Sequence, residues 1–481
     1  MKKVYLLPRS LGKIAPEIYG QFTEHIGGVF YDGLWVGKES DIPNVKGFRK
    51  FIIDKLKAIG TPVIRWPGGC YAEVYDWRDG IGECRPTRPS WWTPRDGRYE
   101  SNAVGTHEFM DFCEAVGAKA YFAANLTSMP PLHIRNWMDY CLSPKGSTTL
   151  ALEREKNGHP EPFDIPYWGV GNENWGGGGC MRPEFYADEC RRYAEIMNNT
   201  CPDVEFFACG SDTDNFDWTR GVIPVLASAA TNRISGFAMH YYVGNFGEDC
   251  LEFSDDEFYS TLDKADFMEY IIKKNWSIIT SHNFDDKCKL VIDEWGCWYR
   301  DGSGPSKRYN LFEQQSTMRD ALVTAHTLNI FNRNCDKIRM ANVAQTVNNL
   351  HALFLAAGDK CITTPTYHVF DMYKEHMGAE AIDVYVSENE EKYGLSVSAS
   401  RKDGKIHLTV ANLTKDTDLE FSLEGFELPE NKIAKLRTLA SGDVHDCNTF
   451  DEPEKITVTE GEVNISEPIT VKGASVISIS F

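Results

Sequence analysis

The chain has 481 residues, 42% hydrophobic and 25% charged, the balance of an ordinary soluble globular protein with room for two domains. Its formal net charge of -20 argues against a nucleic-acid or anionic-membrane partner, since both need a basic face, and fits a neutral substrate.

At the N-terminus two lysines precede an apolar run, Val4 to Leu7, that stops at Pro8. That is too short for a signal-peptide core, and no apolar run is long enough to span a membrane. The 14 cysteines are therefore expected to be reduced thiols in a cytosolic protein. They lack the paired spacing of a zinc site.

In chain order, short apolar or β-branched runs at 17–22, 62–67, 119–125, 166–172, 204–209, 236–241, 289–293 and 340–344 predict strands. Amphipathic stretches at 47–59, 107–116, 183–198, 216–230, 262–280 and 312–332 predict helices between them. Strands alternating with helices predict an α/β fold, a (β/α)8 TIM barrel over 16–370. The strand ends carry Glu24 and His25, Gly68-Gly69-Cys70, Asn125, Asn172-Glu173, Ser211-Asp212, His240 with Tyr242, Asp293-Glu294-Trp295 and Gln345. In a barrel these ends meet on one face, where active sites sit.

Beyond residue 370 the pattern changes to period two: 395–399, 406–410, 419–423, 456–459 and 476–479. Lys402-Asp403-Gly404-Lys405 reads as a hairpin turn. This predicts a C-terminal antiparallel β-sandwich over 371–481, to which residues 1–15 can add a strand through Val4 to Leu7.

Two glutamates carry the chemistry. Tyr167-Trp168-Gly169-Val170-Gly171-Asn172-Glu173 reads as a buried strand delivering Glu173 into a loop that runs through Gly176 to Gly179. Lys289-Leu290-Val291-Ile292-Asp293-Glu294 delivers Glu294 in the same way. A glutamate at one strand end is more often a structural hydrogen-bond acceptor. Two in matching contexts suit glycoside hydrolysis, in which one carboxyl protonates the leaving oxygen while the other attacks the anomeric carbon or activates water. Trp91-Trp92, Trp175, Tyr242, Trp295 and Trp298 lie in loops after strand ends and offer sugar platforms or core packing. His240 reads equally as a satisfied histidine or a substrate contact. There is no His-Glu-x-x-His, Gly-x-Ser-x-Gly or Gly-x-Gly-x-x-Gly motif, and Gly33 to Glu39 has the wrong spacing for a phosphate loop. The run Gly176 to Gly179 could form an anion nest, but a mobile loop beside the site is the better reading.

Tyr19 to His25, Arg65-Trp66-Pro67-Gly68-Gly69-Cys70, Trp77 to Gly82, Gly171-Asn172-Glu173-Asn174, Asp293-Glu294-Trp295 and Ala344 to Asn348 resemble glycoside hydrolase family 51, mainly α-L-arabinofuranosidases. The match runs in order from Ile18 to Tyr373. The resemblance implies a barrel with a C-terminal, jelly-roll-like β-sandwich that recruits the N-terminal strand. It implies a retaining mechanism with Glu173 as acid/base and Glu294 as nucleophile, and substrate binding by Glu24, Cys70, Asn172, Tyr242, Trp298 and Gln345. It implies no metal or organic cofactor, and members are often intracellular hexamers acting on arabino-oligosaccharides. Glu173 would then need a raised pKa, supplied by partial burial and the charge of Glu294. Many members have Met after Gly-Asn-Glu and Asn after Arg-Trp-Pro-Gly-Gly; here Asn174-Trp175 with four glycines, and Cys70, stand instead. The expected activity is release of terminal α-L-arabinofuranosyl residues. The alternatives are the same chemistry on another glycoside, such as an endo-glucanase or β-xylosidase, and a non-catalytic carbohydrate-binding protein.

Overall fold

The structure is a computed structural model that describes the whole chain except residues 201, 202, 230, 245, 308, 388–391, 426 and 427. Eight strands close into a barrel in sequence order: β1 (Gly20–Phe22), β2 (Val63–Trp66), β3 (Lys119–Ala124), β4 (Tyr167–Val170), β5 (Glu205–Ala208), β6 (Ile234–Val243), β7 (Lys289–Cys297) and β8 (Ile338–Ala344). Neighbours run parallel, with Trp168 of β4 opposite Phe122 of β3 and Phe206 of β5. Every residue of β2 and of β4 is buried. Strands covered on both faces read as continuous apolar runs, which is why all eight are legible. The first is shorter than expected: Pro16–Tyr19 winds into a 3-10 turn, and only Gly20–Phe22 joins the barrel.

Helices Lys50–Ala58, Thr106–Val116, Pro183–Asn198, Phe216–Ala227, Asp255–Ser281 and Met318–Arg333 fill the expected stretches. Besides the one-turn Thr93–Asp96, three longer helices among the described residues were not anticipated. Pro131–Leu142 buries Ile134, Trp137, Met138 and Cys141, a helical stripe behind an N-terminal proline. Thr149–Lys156 buries only Ala151 and Arg154 and so shows no stripe; Thr148 caps it by accepting from Ala151 N at 3.0 Å. Pro365–Tyr373 is the third, and the expected domain boundary after residue 370 falls inside it.

The chain groups into two compact units: Gly20–Tyr241 with Lys273–Glu294, and Met1–Tyr19 with Tyr242–Ile272 and Trp295–Phe481. The second holds a nine-stranded sheet, separate from the barrel strands, in the order Thr459–Asn464, Ile433–Leu439, Ser475–Ser480, Lys405–Asn412, Leu395–Lys402, Glu380–Ser387, Lys2–Lys13, Leu419–Gly425 and Ile469–Val471. Val4, Leu6, Leu408, Val410, Phe421, Val471, Ile477 and Ile479 share its apolar core. The N-terminal strand is recruited as expected, but the sheet is not wholly antiparallel. Lys2–Lys13 lies antiparallel to Glu380–Ser387 and parallel to Leu419–Gly425. The Asp403-Gly404 hairpin is present, with both residues at positive φ, 51° and 78°. The strand expected at 456–459 begins at Thr459 instead. Asn448 accounts for the shift: it bonds the N–H of Ile456 at 2.7 Å and its carbonyl at 3.0 Å, leaving neither for a ladder.

Candidate active site

Both glutamates lie in the unit that begins at Gly20. After β4 the chain turns at Gly171, φ 89°, and Glu173 itself sits at φ 43°, the left-handed region that a residue with a Cβ seldom adopts. Glu294 lies within β7, which runs past the expected end at Asp293 to Cys297. His240 of β6 stands between the two. Its Nδ1 is 2.8 Å from Glu173 Oε1 and 3.6 Å from Glu294 Oε2. One oxygen from each carboxylate and the imidazole nitrogen all lie within 4.8 Å of one another.

The electrostatics follow from that spacing. Burial pulls the His240 imidazole toward neutrality, but the charge of Glu294 and the hydrogen bond to Glu173 push its pKa up to about 9. The imidazole, so held toward its charged form, stands between the two carboxyl groups. Arg65, fully buried on β2, donates to Glu294 Oε1 at 2.8 Å and to Asn172 Oδ1 at 2.6 Å, with Nε 3.6 Å from Asp293. Burial disfavours its charge; Asp293 and Glu294 more than compensate and keep it cationic. Tyr121 donates to Asp293 at 2.9 Å. Cys70 Sγ points at Glu173 Oε2, 3.6 Å away. Burial first and then the nearby Glu173 push that thiol far up, so it stays protonated.

Glycines let the walls come this close. A Cβ on Gly69 would lie 2.7 Å from Glu294 Oε1, and one on Gly68 would lie 2.6 Å from Glu24 Cγ. Glu24 in turn accepts from Tyr71 N at 3.0 Å. Asn172 Nδ2 is buried and has no described partner, which leaves a donor for a ligand. The structure thus gathers Glu24, Cys70, Asn172, Glu173 and Glu294. Tyr242, Trp298 and Gln345 belong to the other unit, where Tyr242 packs edge-on against Trp298 with centroids 5.1 Å apart, and Gln345 is buried after β8. Of the aromatics expected in loops, Tyr242 lies on β6 and Trp295 on β7, where Trp295 is a core residue; Trp92 is buried and Trp175 donates to Gly210 O at 3.1 Å.

The glycine run, expected to be a mobile loop, is wound back on itself. Gly176 N and Gly178 N both donate to Glu173 O, at 2.8 and 2.9 Å, and Cys180 N donates to Gly176 O at 2.9 Å. Arg65, which bonds Glu294, and Glu73, which accepts from Asn172 N at 2.7 Å, lie at the site although the sequence reading assigned them no role. A lone arginine in Val63-Ile64-Arg65-Trp66 is the signal for the first, because a charge inside a buried strand needs a buried partner. One ligand atom from each of Glu173, His240 and Glu294 could meet at a metal ion. Among the described residues, Cys297, Asp320 and His351 form another close donor set, beside the buried guanidinium of Arg319.

A parallel eight-stranded barrel with two juxtaposed carboxylates after β4 and on β7 defines a glycoside-hydrolase site. Residues 55–261 match the family described as "Alpha-L-arabinofuranosidase 1 domain" and 293–475 the "Alpha-L-arabinofuranosidase C-terminal domain". A Bacteroides ovatus protein named intracellular exo-alpha-L-arabinofuranosidase is 36% identical over 95% of this chain and 91% of its own length. A family 51 arabinofuranosidase from Xanthomonas axonopodis pv. citri superposes with TM-score 0.93 at 34% identity, covering 100% of this chain and 99% of that one. The Thermotoga maritima α-L-arabinofuranosidase in its arabinose complex gives 0.89 at 28%, covering all of both chains. The chain belongs to glycoside hydrolase family 51, the α-L-arabinofuranosidases. No helix among its described residues is long and apolar enough to cross a membrane.

Proposed function

We propose that the chain is a retaining exo-α-L-arabinofuranosidase that releases terminal arabinofuranosyl residues from arabino-oligosaccharides and from arabinan or arabinoxylan fragments, with Glu294 as nucleophile and Glu173 as acid/base. The observation that carries this is the approach of the two carboxylates, with oxygens within 4.8 Å. Retaining enzymes hold their carboxyl groups about 5–5.5 Å apart, whereas inverting enzymes leave about 6.5–9.5 Å for a water. The exo assignment is supported by the name of the Bacteroides relative.

In the first step a Glu294 oxygen bonds the anomeric carbon as the glycosidic C–O bond breaks, and Glu173 gives its proton to the leaving oxygen. In the second, Glu173 takes a proton from water, whose oxygen attacks the anomeric carbon and frees Glu294. Glu173 is the more exposed of the two, at 21% against 9%, which suits a base that must meet water. Arg65 holds Glu294 in its attacking rotamer. Asn172, with its open Nδ2, takes the sugar 2-hydroxyl, and Glu24, Cys70, Tyr242, Trp298 and Gln345 complete the binding set. A cytoplasmic location is supported by the relative's intracellular name, and a homohexamer by the family resemblance.

A panel of nitrophenyl glycosides tests the reading. The α-L-arabinofuranoside should be the preferred substrate, and NMR should show the α-anomer released first. Glu173→Ala should lower turnover of unactivated substrates by about 10²–10⁴-fold, with azide restoring turnover of activated ones. First release of the β-anomer, or no azide rescue on any aryl glycoside, would sink the assignment.

A further inference from the structure

The 3-10 turn Cys70–Val74 that follows β2 carries more than the Cys70 thiol. Its fourth residue, Glu73, is buried and lies under the catalytic loop. Glu73 Oε1 accepts from the backbone N–H of Asn172 at 2.7 Å and from Asn174 Nδ2 at 2.8 Å. Glu73 Oε2 accepts from the backbone N–H groups of Leu126 and Thr127, at 2.8 and 2.7 Å. All four partners are donors, so the side chain works as a carboxylate; a protonated Glu73 would turn one O–H toward an N–H. Burial pushes its pKa up and the four donors oppose that shift.

The two bonds on Oε1 grip the residues immediately before and after Glu173. That residue is held at φ 43°, where a side chain is disfavoured unless its surroundings over-determine it. Asn174 extends the grip, since its Nδ2 also donates to Gly178 O at 2.7 Å, and Gly178 N returns to Glu173 O. Thr127, whose N–H binds Glu73, donates its hydroxyl to the same Gly178 carbonyl at 2.5 Å. A Cβ on Gly178 would lie 1.7 Å from Asn172 O, so the loop closes only with glycine there. Asn174 and Gly178 thus belong to one device centred on Glu73.

We infer that Glu73 is a positioning residue for Glu173: it touches no substrate, and it fixes the strained turn that aims the acid/base at the glycosidic oxygen. The inference rests on Glu173 being the acid/base. A carboxamide cannot accept four hydrogen bonds through two oxygens. In Glu73→Gln an NH2 group must face either Asn172 and Asn174 or Leu126 and Thr127, and the turn relaxes.

Acid catalysis matters most for a poor leaving group, which separates positioning from general damage. The experiment compares kcat/KM of wild type and Glu73→Gln on arabinobiose and on an activated dinitrophenyl α-L-arabinofuranoside. Loss of an aimed general acid should lower the first by about 10²-fold and the second by under about threefold. Equal losses on both, or none on either, would overturn the inference and leave Glu73 a stability residue. If Glu73→Gln does not fold, Asn174→Ala removes one donor and keeps the backbone bonds. It should show the same leaving-group selectivity at smaller size, and a uniform effect would again overturn the inference. Failure of the underlying reading would look different, with wild type itself inactive on both arabinofuranosides.

Discussion

At the scale of single residues the site sets two basic groups, Arg65 and His240, among its carboxyl groups. Arg65 holds Glu294, Asn172 and Asp293 through one rigid fork, and a lysine of equal charge could not reach all three. His240 does the same for Glu173 and Glu294 from the other side. This histidine makes the protein's stability depend on pH. Its pKa stands at about 9 in the fold against an ordinary 6.5. A raised value means that the folded state holds the proton more tightly than the unfolded chain. The stabilisation is complete below 6.5 and is lost as pH rises through about 9. The melting temperature of wild type should therefore fall between these two values, and that of His240→Asn, which keeps a donor but cannot titrate, should fall less. Parallel melting profiles for the two proteins would contradict a cationic His240.

At the scale of elements, the loop after β4 shows how backbone geometry sets a catalytic group. Gly178→Ala should force the Asn172 carbonyl aside and with it Glu173, lowering kcat at least about tenfold, the size of a small misplacement of catalytic groups. Gly247→Ala has no neighbouring atom within 4 Å and serves as the control, with kcat unchanged. A Gly178→Ala enzyme as active as the control would mean that the turn does not aim Glu173. The same loop marks where sequence reading stopped. Tyr167 to Glu173 was legible because a doubly covered strand is continuously apolar and breaks at its polar end. Glu294 was legible for the same reason. The winding of the glycine run was not, because its hydrogen bonds run to Glu173 and to partners such as Thr127 far along the chain. Glu73 was silent for a related reason: one glutamate in Cys-Tyr-Ala-Glu-Val carries no pattern until its four donors converge. Helix Pro131–Leu142 did carry a pattern, in Ile134, Trp137, Met138 and Cys141, and the capped, polar Thr149–Lys156 did not.

At the scale of the whole molecule, the dependence of the barrel's later part on the sheet is written in one helix. Met318–Arg333 is buried from Met318 through Asn332, yet it is rich in polar residues. A helix buried all round is normally apolar. Here the polar groups are matched by the sheet: His326 bonds Ser396 Oγ at 2.8 Å, Asn332 donates to Ser398 Oγ at 3.1 Å and Arg333 to Val397 O at 2.8 Å. Asn329 donates to Ser396 O at 3.0 Å and accepts from Ser398 and Thr409 at 2.8 and 2.9 Å. These partners lie within 395–412, far beyond the last barrel strand, and the N-terminal strand inserts into the same sheet. A chain cut after Tyr373 would strip this helix of its cover and of the hydrogen bonds the sheet supplies, and would leave the strand Lys2–Lys13 without either of its neighbours, against a net stability of about 5–15 kcal/mol. Such a fragment should be insoluble or should melt without cooperativity. Within the full chain, Asn329→Ala should lower unfolding stability by about 1–3 kcal/mol in urea while leaving kcat on the nitrophenyl arabinofuranoside unchanged. A soluble fragment 1–373 with a sharp melting transition would show instead that the barrel stands alone and that the sheet's hydrogen bonds to this helix contribute little to its folding.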